Sequence, residues 1–248
     1  KGHRFSELDF QVHVGGSETN IVVNLAQYGF HTFLLTKLPR HALGEAVISF
    51  LKSFGVDTSK ILRNDMRIGS YFLENGSGNR ASQVIYDRCY SAMTSLTSGD
   101  IDLKQLFQNV DVFVVSGITV ALNQTIQDIV VEMVKYCRGN HILVVYDSNY
   151  RAKLWSVEAA GQALKRILPY VDILSAGYLD AQNLLGILSQ ADTFEQRLED
   201  VYGQMKALYP QLQYIVSTKR DILSTSVNEL TGYLYDGTLH ISKTYHID

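Results

Sequence analysis

Two short segments, Val112-Phe-Val-Val115 and Ile142-Leu-Val-Val145, are unbroken apolar runs, each followed by an amphipathic stretch of helix length. A strand with water on one side alternates apolar and polar residues, whereas a continuous run belongs to a strand covered on both faces, the usual setting of a parallel sheet. The pattern recurs along the chain. Strands are predicted at His31–Leu38, Val110–Ser116, His141–Tyr146, Val171–Ser175 and Tyr214–Thr218. Helices are predicted at Asn20–Tyr28, Leu43–Phe54, Gln124–Arg138, Ser156–Leu168, Asp180–Leu188 and Thr193–Leu208. Gly29, Gly55 and Gly139 each fall just past a helical pattern, where a left-handed cap is favoured. Repeated βα units imply an α/β fold, a mostly parallel sheet flanked by helices.

Two stretches depart from this pattern. Phe10–Val14 and Gly69–Tyr90 alternate apolar and polar residues, the second around a turn-rich Asn75-Gly-Ser-Gly-Asn79. They read as half-exposed antiparallel strands. The expected division is an α/β body over 15–68 and 91–248, with a small β lid from 1–14 and 69–90. Glu229–Tyr235 and Thr238–Tyr245, joined by Asp236-Gly237, form an expected hairpin.

Composition narrows the function. A net charge of −3 provides no basic face for nucleic acid, so an anionic ligand must be held by a few placed cations. No apolar run reaches the roughly 20 residues that span a bilayer, and no secretory signal opens the chain, so a cytoplasmic protein without membrane partners is expected. Cys89 and Cys137 form neither a CxxC pair nor a metal cluster, and both read as buried, inert thiols.

Ligand sites of open α/β sheets collect at the carboxyl ends of strands. Four strings stand there or on the lid. Gly15-Gly16-Ser-Glu-Thr-Asn20 opens a helix, and its glycines allow close backbone approach to a ligand; a ligand-free tight turn is the alternative. Asp147-Ser-Asn149-Tyr-Arg151-Ala-Lys-Leu-Trp155 follows a buried strand and includes a guanidinium fork suited to carboxylate or phosphate; a structural Arg151–Asp147 pair is the alternative. Tyr86 and Arg88 share one face of a lid strand by period two, near Gly69-Ser-Tyr71, where a solvated strand face is the plainer reading. Ser116-Gly117-Ile118 closes a strand and can be a simple turn.

Taken together these strings resemble ribokinase-like (PfkB) carbohydrate kinases, and Asp147–Trp155 resembles the D-x-N-x-R-x-x-L-W segment of their 2-keto-3-deoxygluconate kinases. The resemblance implies a ribokinase-like α/β fold with a β-sheet lid and ATP-dependent phosphorylation of the terminal hydroxyl of a sugar acid, with Mg2+. It implies that Gly16, Asn20, Tyr71, Tyr86, Arg88, Ile118 and Arg151 bind the sugar, with Arg88 and Arg151 clamping its carboxylate. Asp147, Asn149 and Asp180 fall toward Mg-ATP, and Ser217 and Lys219 occupy the place of the family's glycine-containing ATP loop. Here Gly177-Tyr-Leu-Asp180 stands where relatives have N-x-x-E, and Ser217–Arg220 lacks the glycines; an ordinary basic turn is its alternative. No metal is held directly. There is no G-x-x-x-x-G-K-[ST], so a P-loop mechanism is excluded.

The family's catalytic base lies in a G-x-G-D string, which this sequence lacks; Tyr245-His-Ile-Asp248 resembles the strand leading into it. The base is therefore expected beyond Asp248, the family's first strand upstream of Lys1, and a chain incomplete at both ends is expected to be inactive alone. Homo-oligomerisation through the open edges of the lid is also expected. The competing readings are a neutral-sugar kinase, fructokinase-like or ribokinase-like, and a non-catalytic sugar-binding member of the fold.

Overall fold

A computed structural model describes residues 10–76, 82–224 and 227–247. Residues 1–9 of the expected lid and 77–79 of the expected Asn75–Asn79 turn lie outside the described residues. In chain order the elements are α1 (Ser17–Gln27), β1 (Thr36–Pro39), α2 (Ala42–Ser53), β2 (Ile61–Asn64), β3 (Ser70–Glu74), β4 (Gln83–Asp87), α3 (Leu103–Leu106), β5 (Val112–Ser116), α4 (Gly117–Val120), α5 (Gln124–Gly139), β6 (Leu143–Asp147), α6 (Val157–Ile167), β7 (Ile173–Ser175), α7 (Tyr178–Asp180), a π turn (Ala181–Leu185), α8 (Phe194–Leu208), β8 (Tyr214–Ile222), β9 (Asn228–Tyr235), β10 (Leu239–Ile241) and β11 (Tyr245–Ile247). The chain divides into two compact units, through Asp100 and from Ile101. Residues 15–68 thus group with 69–90.

In the first unit, β1 and β2 pair in parallel, Thr36 opposite Ile61. Leu38, Leu51, Val56 and Ile61 form the core of this unit, with Val22, Val23, Val47 and Ile48 packed around them. β3 and β4 make a separate antiparallel pair, Tyr71 opposite Tyr86 and Phe72 opposite Ile85. The strand expected at Phe10–Val14 is absent; these residues are irregular and Val12 is exposed. Alternation over five residues does not make a strand without a partner ladder.

In the second unit, seven strands form one sheet in which β5, β6, β7 and β8 are parallel neighbours in sequence order. Right-handed crossovers between strands in that order put α5, α6 and α8 on a single face. Their apolar spacing fits: Ile126, Ile129, Val130, Met133, Val134 and Cys137 are the buried stripe of α5, Leu164 and Ile167 are buried on α6, and Leu198, Val201 and Met205 are buried on α8. Helix starts are fixed by side-chain caps. Asn123 accepts from Ile126 N–H at 2.9 Å, Ser156 from Ala159 N–H at 3.2 Å, and Thr193 and Gln196 cap each other's backbone. The apolar runs of β5 and β6 are covered on one face more fully than on the other, since Val144 and Tyr146 are buried while Val112 and Leu143 are exposed.

Several local expectations change. Left-handed Gly29 and Gly55 follow their helices, but after α5 the positive φ falls at His141 and not at Gly139, which is the last helical residue. The second arm of the expected 229–245 hairpin is broken. β10 pairs with Leu234 and its neighbours, the Ser242 hydroxyl takes the Gly232 N–H, and β11 resumes against Asn228–Leu230. Among the described residues, no helix is long and apolar enough to cross a membrane. Cys137 is buried, and desolvation pushes its thiol up to about 12; Cys89, expected to be buried, is exposed. It sits where β4 runs out into a turn at Tyr90, whose φ is +56°.

Candidate active site

The first unit assembles one half of the residues singled out in the sequence. Gly16 caps α1 at φ 147°, a conformation that side chains with a Cβ rarely adopt, and Asn20 donates its N–H to Gly16 O at 3.0 Å. The helix therefore starts at Ser17, three residues earlier than predicted, with exposed Asn20 in its first turn. Gly15 faces Tyr71: a Cβ there would lie 2.6 Å from the tyrosine hydroxyl. Period two and the β3–β4 register place Tyr71, Tyr86 and Arg88 on one face. The Arg88 guanidinium lies 4.5 Å from the Tyr86 ring centroid and 6.0 Å from that of Tyr71, and the two rings are 6.4 Å apart. A guanidinium held against two phenols over a glycine turn can receive an anion while its stem is fixed. The ion pair beside it, Arg67–Asp87, joins the hairpin to the preceding segment and holds the Asp87 carboxyl below its usual range.

The second unit assembles the other half at the carboxyl ends of β5 to β8. Gly117 is buried against the loop after β6, where an added Cβ would stand 2.2 Å from the Ser148 carbonyl oxygen, so only glycine lets β5 turn into α4 beside that loop. Partly buried Ile118 follows directly. On the loop, the Asn149 amide donates to Asp147 at 3.3 Å, Asn149 is at φ 35°, and Ser148 N–H donates to Ser175 O at 2.9 Å. Asp180 accepts the Gly177 N–H at 2.8 Å. Burial raises the Asp180 carboxyl above the usual range; the Gly177 N–H lowers it, the Asp147 charge raises it, and the Arg151 charge lowers it. Asp147, Arg151 and Asp180 thus share one electrostatic neighbourhood. Arg151 itself is exposed.

Two features went unread in the sequence. Ser217–Arg220 is neither loop nor turn but the interior of β8, paired residue by residue with Tyr233–Leu230 of β9. With no glycine or proline to break it, the strand runs on to Ile222. Lys219 there pairs with Asp221 at 2.9 Å. Directly after Asp180, the predicted Asp180–Leu188 helix gives way to a π turn, and Gly161 of α6 packs so closely on it that a Cβ would meet Leu184 O at 2.5 Å. π turns carry no compositional signature, although they recur at functional sites.

Among the described residues, no group of three or more His, Cys, Asp or Glu could hold a metal. Asp147 and Asp180 are two carboxylates close enough for one to perturb the other. That set suits an ion that keeps most of its waters and takes phosphate oxygens, as Mg2+ does.

This combination of an open α/β sheet, an antiparallel pair bearing a tyrosine–arginine face and a carboxylate–arginine cluster at the strand ends defines the ribokinase-like fold class. Residues 6–211 match the pfkB family carbohydrate kinase model, and the chain belongs to that family. It is 32% identical over 183 residues to the 2-dehydro-3-deoxygalactonokinase of Haloferax volcanii, covering 74% of this chain and 57% of that protein's length. A PfkB family carbohydrate kinase from Listeria grayi superposes with a TM-score of 0.92 at 36% identity, covering 100% of this chain and 76% of that one. The 2-dehydro-3-deoxygluconokinase of Thermotoga maritima gives 0.93 at 32% identity, covering 99% and 74%.

Proposed function

We propose that this protein is a sugar-acid kinase that transfers the γ-phosphoryl group of ATP to the terminal hydroxyl of 2-keto-3-deoxygluconate or a close isomer. The observation that carries the reading is Arg88 stacked on Tyr86 and beside Tyr71 over the Gly15-Gly16 turn. A neutral sugar gives no reason to immobilise a guanidinium there, whereas a carboxylate does. Gly16 and Asn20 would face the sugar hydroxyls, Ile118 its carbon chain, and Arg151 would be the second cation on the carboxylate. The names borne by the Haloferax and Thermotoga relatives support the same substrate class.

In this reading Asp147, Asn149 and Asp180 lie toward Mg-ATP. Mg2+, when bound, would supply charge neutralisation to the nucleotide's phosphates. Asp180 would hold the hydrated ion through its waters, its carboxylate oriented by the Gly177 N–H. Ser217 and Lys219 serve the nucleotide side, Lys219 exchanging Asp221 for phosphate. β3 and β4 act as the lid over the sugar. A second copy would pair along the open outer edges of these two strands. The free thiols at Cys89 and Cys137 fit a cytoplasmic setting.

Steady-state kinetics on the complete gene product test the reading. The keto-deoxy acid should be used in preference to fructose or ribose, and Arg151→Leu should raise its KM roughly 10- to 100-fold, the worth of a charge-assisted hydrogen bond. Preference for fructose, or an unchanged KM in the variant, refutes the acid-sugar assignment. Sugar binding without ATP turnover would establish a non-catalytic binding protein instead.

A further inference from the structure

The nucleotide brings a highly charged phosphate chain to a protein of net charge −3, and β8 offers it no amide cradle. Successive N–H groups of an extended strand point in opposite directions, so Ser217–Arg220, paired along β9, cannot form the concave nest that consecutive loop amides make. At this strand the charge can come only from side chains. Two cations stand on aromatic rings at the start of α8. Lys219 Nζ is 5.2 Å from the centroid of Phe194, which packs edge-on against Tyr233 at 5.7 Å. The Arg197 guanidinium is 5.9 Å from the centroid of Tyr178, the residue that opens the turn ending in Asp180. Phe194 and Arg197, three apart on α8, are neighbours on one helix face. Lys219 is shared with Asp221. Arg197 has no carboxylate partner among the described residues; it donates to the carbonyls of Thr193 at 3.3 Å and Asp192 at 3.5 Å.

We infer that Arg197, together with Lys219, holds the phosphate chain of the nucleotide in place of a glycine-amide loop. The inference rests on the nucleotide reading of Asp180 and Ser217 given above. It makes Arg197 a binding residue that the D-x-N-x-R and lid strings do not contain. Tyr178 would orient the guanidinium by stacking, leaving its remaining N–H groups to meet two phosphate oxygens in a fork.

Calorimetric titration of the complete gene product with ATP and with adenosine tests this. Arg197→Ala should weaken ATP roughly 10- to 100-fold and leave adenosine and the sugar acid unchanged, with the thermal midpoint unmoved. Arg197→Lys should recover part of the loss, and the salt dependence of ATP binding should flatten in the alanine variant. Arg166→Ala, which removes a cation paired to Asp128, is the charge control and should bind ATP as the parent does. Equal ATP affinity in Arg197→Ala overturns the inference, as does an equal loss for adenosine, which would mark a packing role. If the parent protein binds no ATP, the nucleotide reading itself fails, a result separable from the other two.

Discussion

Gly117→Ala is the substitution whose cost the structure defines most sharply. A Cβ at Gly117 would meet the Ser148 carbonyl oxygen at 2.2 Å and its carbon at 3.2 Å, both main-chain atoms. Comfortable non-bonded contact lies near 3.5 Å, so α4 and the loop after β6 must part by about 1 Å. The loop cannot simply yield, because Ser148 N–H is bonded to Ser175 O at 2.9 Å and Gly117 is buried. Overpacking of this kind costs about 1–3 kcal/mol, and two backbone walls place it at the upper end. With a urea slope of about 1–3 kcal/mol per molar, the unfolding midpoint should fall by roughly 1 M or more. Trp155, the sole tryptophan, lies just past this loop and reports the transition by fluorescence. The matched control is Gly139→Ala. Nothing lies within 4 Å of a Cβ there, and Gly139 is helical without a positive φ, so that variant should gain about 0.4–1 kcal/mol. Because the displaced loop leads into Arg151, Gly117→Ala should also lose sugar-acid affinity under conditions where it is fully folded. A midpoint equal to the parent's, or an equal fall in both variants, refutes the argument.

Two further outcomes are expected. Asp180 has a folded-state value above its ordinary 3.8, so it contributes nothing below that pH, where it is protonated folded or unfolded, and destabilises progressively as pH rises through the window above. Asp180→Asn, which can still accept the Gly177 N–H, should therefore be more stable than the parent at pH 7, with the advantage vanishing toward pH 3, while Mg-ATP binding weakens; urea titrations across that range that show the parent more stable at pH 7 would contradict the cause assigned. Asp172 is buried and accepts from Val144 N–H at 2.9 Å, Arg138 at 2.8 Å and Gln213 at 3.2 Å, so Asp172→Ala should cost about 1–3 kcal/mol by leaving that N–H unsatisfied, measured as a fall in urea midpoint without a change in either substrate's KM.

The sequence was legible where a local rule decides the outcome. The α5 stripe and the Asn123, Ser156 and Thr193 caps are written in consecutive residues, and period two alone puts Tyr86 and Arg88 on one face. It was less legible where pairing decides. β2 is four residues, Ile61–Asn64, with no alternation to announce it, and exists because β1 lies alongside. Phe10–Val14 alternates but has no such partner among the described residues. Ser217–Arg220 was read by its place in the family string, yet the ladder with β9 makes it strand. The contact of Gly15 with Tyr71 joins residues 56 positions apart in the numbering of the chain, and no local pattern could have shown it. Arg197 sits in an ordinary amphipathic helix and is distinguished only by the ring beneath it.

The π turn after Asp180 has a consequence for how this segment can change over time. A π turn holds one residue more than the α-helical turn it replaces, so it sets a fixed angular offset, about 100° for a single residue, between Asp180 and the residues on its far side. Loss of one residue from Ala181–Leu185 would restore α-helical phase and rotate buried Leu184 away from its place beside Gly161 of α6, or else turn Asp180 out of its place beside Gly177. Point substitutions at exposed Asn183 should be tolerated freely, whereas a single-codon deletion beside it should not be. The segment is open to drift in composition and closed to drift in length.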